Sequence, residues 1–202
     1  MDLYNRQSKL DLKTSYTVTV VGCGGVGYWV AKYAAMSGIN KIYLFDPDVI
    51  EENNLNRLDL PPSSIGENKA MITKKFINMI RPDCMVYAIP YKFQEHLFIK
   101  TDYIIDCTDK HKVQMEIEAV AKRIGVQYMK AGYDGQHITV ADSVSNLWTA
   151  NEIDGYTVTP SWVVPATVVA AMTVAKIVVP KCQKAEISLN IDEIFNIRKR
   201  NG

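Results

Sequence analysis

A glycine-rich run, Gly22-Cys23-Gly24-Gly25-Val26-Gly27, follows the β-rich residues 16–21 and opens a helix-compatible segment over residues 26–36. Strand, glycine turn and helix in that order form the setting in which such a run receives a nucleotide phosphate. Gly22 permits a tight turn, Gly24 and Gly25 leave backbone N–H groups open to a phosphate, and Gly27 allows the helix to pack closely on the strand. The helix N-terminus adds positive partial charge. A second β-rich run, Lys41–Phe45, ends on Asp46, about 20 residues past the loop, where a carboxylate can accept both ribose hydroxyls. Asp48 is a second ribose candidate. Asn53, Asn54, Asn56, Arg57 and Lys69 follow closely, more polar and cationic groups than a linker or a dinucleotide site requires. Asp109 lies just past the strand-like run Tyr103–Asp106, at the carboxyl end of a strand, where open α/β sheets bind ligands.

The elements that must position these groups alternate. A helix is predicted over residues 68–80, ended by Arg81-Pro82, then a strand over Met85–Ile89. Residues 110–124 read as a helix stopped by Gly125, and residues 126–130 as the next strand. Asp134-Gly135, between residues 126–131 and 137–140, is a hairpin signal. The apolar stretch 162–179 is interrupted by Pro165, Thr167, Thr173 and Lys176, which fits a buried helix better than a membrane span. The predicted fold is α/β: a Rossmann-like, mostly parallel sheet with helices on both faces and antiparallel strands at one edge. Without repeat, low-complexity tract or linker, residues 1–202 are expected to form a single domain.

In these motifs the chain resembles the ThiF/MoeB/HesA-like, ubiquitin-activating-type adenylating enzymes. The resemblance rests on Asn5-Arg6-Gln7, the glycine loop, Asp46 and Asp48, Asn54-Leu55-Asn56-Arg57, Gly66-Glu67-Asn68-Lys69-Ala70 and Cys107-Thr108-Asp109. It implies ATP-dependent adenylation of a carboxylate, with an acyl-adenylate and pyrophosphate as products. Arg57 and Lys69 would hold the triphosphate, Asn56 would bridge the transferred group, and Asp109 would hold Mg²⁺. Arg6 would act on the nucleotide of a neighbouring subunit, so a homodimer is expected. The substrate would be the C-terminus of a ubiquitin-like or sulfur-carrier protein, a peptide, or a small-molecule or tRNA-borne carboxylate. Leu58 and Lys110 depart from the family's Gln and Asn and motivate an alternative, a nucleotide-binding module without turnover. An NAD-dependent oxidoreductase would share the glycine loop and Asp46 but leave Arg57, Lys69 and Asp109 without roles. Adenylation suits the residue types in itself, because a carboxylate is already ionised near neutral pH and needs alignment and charge neutralisation more than a general base.

Composition narrows the remaining classes. With 23 basic and 22 acidic residues, a net charge of +1 gives no electrostatic case for general nucleic-acid binding. No apolar segment of a signal peptide follows Met1, and a cytoplasmic protein without membrane contact is expected. The cysteines, at 23, 84, 107 and 182, form no Cys-x-x-Cys pair, so no four-cysteine structural zinc site is expected. Relatives that pass an activated protein onward carry a catalytic Cys in the crossover that corresponds to residues 142–162; here that segment has none, which leaves Cys182 as a candidate nucleophile. Residues 145–162, with Trp148, Tyr156 and Trp162, are expected to act as a lid or to meet a dimer partner. His96, His111 and His137 lack metal-ligand spacing.

Overall fold

The computed structural model describes residues 3–94, 100–144, 160–180 and 186–195. β1 (Thr17–Val21) is a run of Val and Thr, residue types that suit a strand covered on both faces, and it leads through the glycine turn into α1 (Gly25–Met36). β2 (Lys41–Phe45) follows, and two short 3-10 turns, Glu52–Asn54 and Pro62–Ser64, carry the chain to α2 (Lys69–Ile80). Asn68 caps α2 by accepting the Met71 N–H at 3.1 Å. β3 (Met85–Ile89), β4 (Tyr103–Asp106) and α3 (His111–Ile124) come next. Gly125 ends α3 at φ +70°, the left-handed conformation that suits a helix C-terminus. β5 (Gln127–Asp134), β6 (His137–Ala141), α4 (Val163–Val178), β7 (Glu186–Asn190) and a short α5 (Ile191–Phe195) complete the described chain.

The seven strands form one sheet in the order β3-β2-β1-β4-β5-β6-β7. The first five are parallel, and β6 and β7 are antiparallel, which is the architecture expected from the sequence. β5 outruns its expected end at residue 130, because from Lys130 onward it pairs with β6, Lys130 facing Ala141 and Asp134 facing His137. β7 was not anticipated, although Glu186-Ile-Ser-Leu-Asn190 alternates polar and apolar residues with the period of a strand.

Register sets the site. Val21 pairs with Phe45 on one side and with Asp106 on the other, so the chain leaves β1, β2 and β4 at one level of the same edge. β1 is also the strand from which the connections run in opposite directions, the switch point where α/β sheets open a crevice. On one face α1, α2 and α4 pack over Val18, Val20, Ile42 and Leu44; on the other α3 packs through Ile117 and Ala121 over Val21, Phe45, Ile104 and Tyr128. A third cluster, Tyr28, Ile50, Leu58, Leu60 and Ile72, seats the 50–60 segment on α1. Leu58, a departure from the expected motif, is thereby a core residue. Among the described residues no helix is long and apolar enough to cross a membrane.

Candidate active site

Two of the glycines are required by the geometry of the loop. A Cβ on Gly27 would stand 1.7 Å from the carbonyl oxygen of Gly22, so only glycine lets α1 start this close beneath the turn. Gly22 itself has φ +87°, and its Cβ would stand 3.0 Å from the Cys107 carbonyl oxygen. Gly24 has nothing within 4 Å of its Cβ position and opens the α1 N-terminus to the crevice. Over Gly25 two side chains converge: a Cβ there would lie 2.8 Å from Arg57 Cδ and 3.3 Å from the Tyr133 hydroxyl. No sequence signal marks Tyr133, which arrives from β5 through the sheet register.

Asp46, the expected ribose residue, lies just past the end of β2, against the glycine loop. It is 5% exposed, and its carboxylate accepts the Cys23 N–H at 2.6 Å and the Asp48 N–H at 2.8 Å. It braces the glycine loop against β2. Burial raises its pKa, opposed by those two N–H donors and by the charge of Lys69. Asp48 is the carboxylate that faces out, with a side chain 68% exposed and Lys69 Nζ at 3.4 Å. Asn68, whose importance the sequence did not signal beyond its place before a helix, donates from Nδ2 to the carbonyls of Asp46 (2.9 Å) and Asp48 (3.0 Å). It thus ties the start of α2, and with it Lys69, to the end of β2.

The segment with Asn53, Asn54, Asn56 and Arg57 curls over the glycine loop. Asn54 is buried: its Oδ1 accepts the Glu51 N–H at 3.2 Å and its Nδ2 donates to Asn53 Oδ1 at 2.5 Å, so its amide shapes its own turn. Arg57 is half-buried; its Nη1 donates to the Asn53 carbonyl (2.7 Å) and to Asn56 Oδ1 (2.9 Å), which aims across Gly25 a cation whose Nε and Nη2 have no acceptor among the described residues. Asn56 also donates to the Ser161 carbonyl at 2.8 Å, and Trp162 Nε1 donates to the Gly135 carbonyl at 3.2 Å. From α1, Trp29 Nε1 donates to the Arg57 carbonyl at 2.8 Å, and Asp59 accepts Tyr28 and Lys32 at 2.5 Å each. Trp29→Phe removes that anchor and is expected to weaken nucleotide binding about fivefold, the value of one neutral hydrogen bond, with little change in thermal midpoint; calorimetric titration measures the first and a melting curve the second.

Asp109 is exposed on the turn after β4, at the same edge of the sheet as the glycine loop. The turn is built on Asp106, whose Oδ1 accepts the Thr108 N–H (2.9 Å) and hydroxyl (2.7 Å) and whose Oδ2 accepts the Tyr128 hydroxyl (2.8 Å). Among the described residues no three His, Cys, Asp or Glu side chains gather as a metal cage. A lone outward carboxylate beside a phosphate-binding loop fits Mg²⁺, which takes one or two protein carboxylates and completes its shell with phosphate oxygens and water.

Arg6 stands apart from this cluster. Its neighbours dock at the far end of α1, Tyr4 through its hydroxyl to the Ala35 carbonyl (3.4 Å) and Gln7 through Nε2 to the Ser37 carbonyl (3.0 Å). A helix of 12 residues at 1.5 Å per residue places about 18 Å between that end and the glycine loop, beyond the reach of an arginine side chain.

His137 engages Asn190 and Ser188 on the β6–β7 surface, and His111 begins α3. His96, Cys182 and residues 145–159 of the expected lid lie outside the described residues. Of the described cysteines, Cys23 and Cys84 are buried and Cys107 partly so. Burial pushes the Cys23 thiol well up, that of Cys84 up to about 11 and that of Cys107 up to about 12. All three remain protonated at neutral pH and are poor nucleophiles. Iodoacetamide at pH 8 is expected to spare them in the native protein and to label them in urea, as peptide mass mapping would show.

Comparison with known proteins places this geometry. Residues 2–187 match the model of the ThiF family. The tRNA threonylcarbamoyladenosine dehydratase of Haemophilus influenzae is 34% identical over 140 residues, covering 66% of this chain and 53% of its own. The ubiquitin-like modifier-activating enzyme 5 of Culex quinquefasciatus is 30% identical over 132 residues, 57% of this chain and 33% of its own. The chain thus spans about half the length of the first of these relatives and a third of the second. The crystal structure of E. coli MccB with AMPCPP and MccA superimposes with a TM-score of 0.75 at 21% identity, over 89% of this chain and 61% of that one, a likeness that establishes the fold.

Proposed function

This chain belongs to the ThiF family, and from that premise we propose that it activates a carboxylate with ATP, forming an acyl-adenylate and releasing pyrophosphate. The observation that carries the proposal is the convergence of Arg57 on the open glycine loop, with Lys69 and Asp109 on the same rim. Backbone N–H groups at the start of α1, Arg57 and Lys69 bind the triphosphate; Asp46, with the more exposed Asp48 beside it, takes the ribose, and Asn54 shapes the segment that carries Arg57. A substrate carboxylate oxygen attacks the α-phosphorus, the bond to the bridging oxygen breaks, and pyrophosphate departs with the electron pair. No proton need move, so the cationic groups contribute by offsetting charge as it shifts toward the leaving group. Asn56 holds the transferred group from the side, and Asp109 would hold Mg²⁺, which supplies further charge neutralisation to the phosphates.

An NAD-linked function leaves the two cations and Asp109 unused. The buried packing of Leu58 removes one of the reasons for a module without turnover. Residues 1–202 are taken as a single adenylation domain in the cytoplasm, active as a homodimer in which Arg6, too far from its own loop, reaches the partner's nucleotide. The substrate is a peptide or protein C-terminus, a reading supported by the similarity to a ubiquitin-like modifier-activating enzyme; a tRNA-borne carboxylate is the competing substrate suggested by the dehydratase relative. Exchange of labelled pyrophosphate into ATP, screened with candidate peptides, ubiquitin-like proteins and total tRNA, tests the proposal. Exchange that requires one of these carboxylates, and is lost in Asp109→Asn, supports it; ATP binding with no exchange across the panel would favour the module without turnover.

A further inference from the structure

Thr108, the residue before Asp109, is held at each of its polar groups. Its N–H and hydroxyl both donate to Asp106, as described above, and its carbonyl oxygen receives two donors: Lys130 Nζ at 2.5 Å and Gln114 Nε2 at 2.8 Å. Lys130 is only 3% exposed and Gln114 is equally enclosed. Lys130 sits where β5 stops pairing with β4, in register with Asp106, so the two side chains stand on the same face of the sheet, beneath the first turn of α3. An ammonium group is costly to bury and is retained where a charge-assisted hydrogen bond does something an apolar side chain could not. Here it fixes the orientation of the peptide unit that joins Thr108 to Asp109. Asp109 itself is exposed, so its carboxylate is placed by its backbone, and its backbone is placed by Lys130 and Gln114.

We propose that Lys130 is a positioning residue for the metal–nucleotide site, holding the Thr108–Asp109 peptide so that the Asp109 carboxylate meets a divalent cation carried by ATP. The inference rests on the adenylation-site reading given above, but its test separates the two. ATP binding is measured by calorimetry while Mg²⁺ is titrated, in the wild type, Asp109→Asn, Lys130→Met and Gln114→Leu. Lys130→Met keeps the length and apolar stem of the side chain and removes the charge and the donor. The Mg²⁺ concentration for half-maximal ATP binding is expected to rise about tenfold in Lys130→Met and less in Gln114→Leu, with affinity for ATP in the presence of chelator within twofold of wild type. A lysine that serves only the stability of the fold would lower the thermal midpoint and leave the Mg²⁺ requirement where it is in the wild type; that result overturns the proposal. If Lys130→Met does not fold, Gln114→Leu, which removes the other donor to the same carbonyl and leaves the charge, decides by the same two outcomes. Loss of Mg²⁺ dependence in the wild type, or an unchanged requirement in Asp109→Asn, would instead overturn the adenylation-site reading and this proposal with it.

Discussion

Arg57→Ala is expected to weaken binding of Mg-ATP about 100-fold while shifting the thermal midpoint by no more than a few degrees. Among the described residues, Arg57 is the cation found over Gly25 of the glycine loop, with its Cδ 2.8 Å from the point where a Cβ on Gly25 would stand. Its guanidinium is aimed by the Asn53 carbonyl and Asn56 Oδ1, and both bonds come from Nη1, so among the described residues nothing takes the other nitrogens from phosphate. Two charge-assisted hydrogen bonds at roughly 1.5 kcal/mol each give about 3 kcal/mol, or about two decades in affinity. Stability changes little because the 50–60 segment is fastened by Leu58, Leu60 and Ile50 and by the Asp59 contacts with Tyr28 and Lys32, none of which the substitution touches. Lys in place of Arg should recover only part of the loss, since a single ammonium cannot bond to Asn56 and to phosphate with the same planar fork. Calorimetric titration of each variant with Mg-ATP, beside a melting curve, checks this; wild-type affinity in Arg57→Ala would remove Arg57 from the site.

Gly27→Ala should act on the fold itself. The added methyl group would stand 1.7 Å from the Gly22 carbonyl oxygen, a backbone atom in a turn that is fixed on its other side by Cys107. Relief requires moving α1 away from β1, which opens the core at Val30, Ala31 and Ala34. The cost is expected to be about 3 kcal/mol or more, at the upper end of overpacking, and a fall in thermal midpoint of roughly 6–12 °C for a chain of this size. Gly25→Ala is the informative contrast. Its nearest neighbour is the end of a flexible side chain, Arg57 Cδ, which can give way, so that variant should melt near wild type yet bind ATP poorly because Arg57 is displaced. Equal melting of both variants would contradict this account of why each glycine is there.

How far the sequence carried the argument depends on what each residue does. The glycine loop and the alternating elements were legible because they obey local rules: a Val and Thr run for β1, an apolar and aromatic run for β2, a glycine after α3. Arg57 and Lys69 stand out as candidates in the sequence because a cluster of cations next to such a loop has few other uses. The partners of Asp46 and Asn54 were not legible, for a common reason. Their residue types suit a ligand and a loop equally well, and which way each side chain turns is decided by tertiary partners, the Cys23 and Asp48 N–H groups for one and the Glu51 N–H for the other. Tyr133, Trp29 and Lys130 were invisible because they come to the site from other elements, through the β5 register and the packing of α1, and no spacing along the chain records that convergence. Asn56, too, is tied to Ser161, more than 100 residues away.

The proposed adenylation requires that the crevice above Gly24 hold a triphosphate with its metal and not a dinucleotide. The most direct measurement is calorimetric titration of the purified protein with ATP in the presence of Mg²⁺, with ATP and chelator, and with NAD. Binding of ATP that strengthens with Mg²⁺ and is weakened in Arg57→Ala, with no heat from NAD, is the predicted result. Binding of NAD alone, or ATP binding indifferent both to the metal and to Arg57, would contradict it.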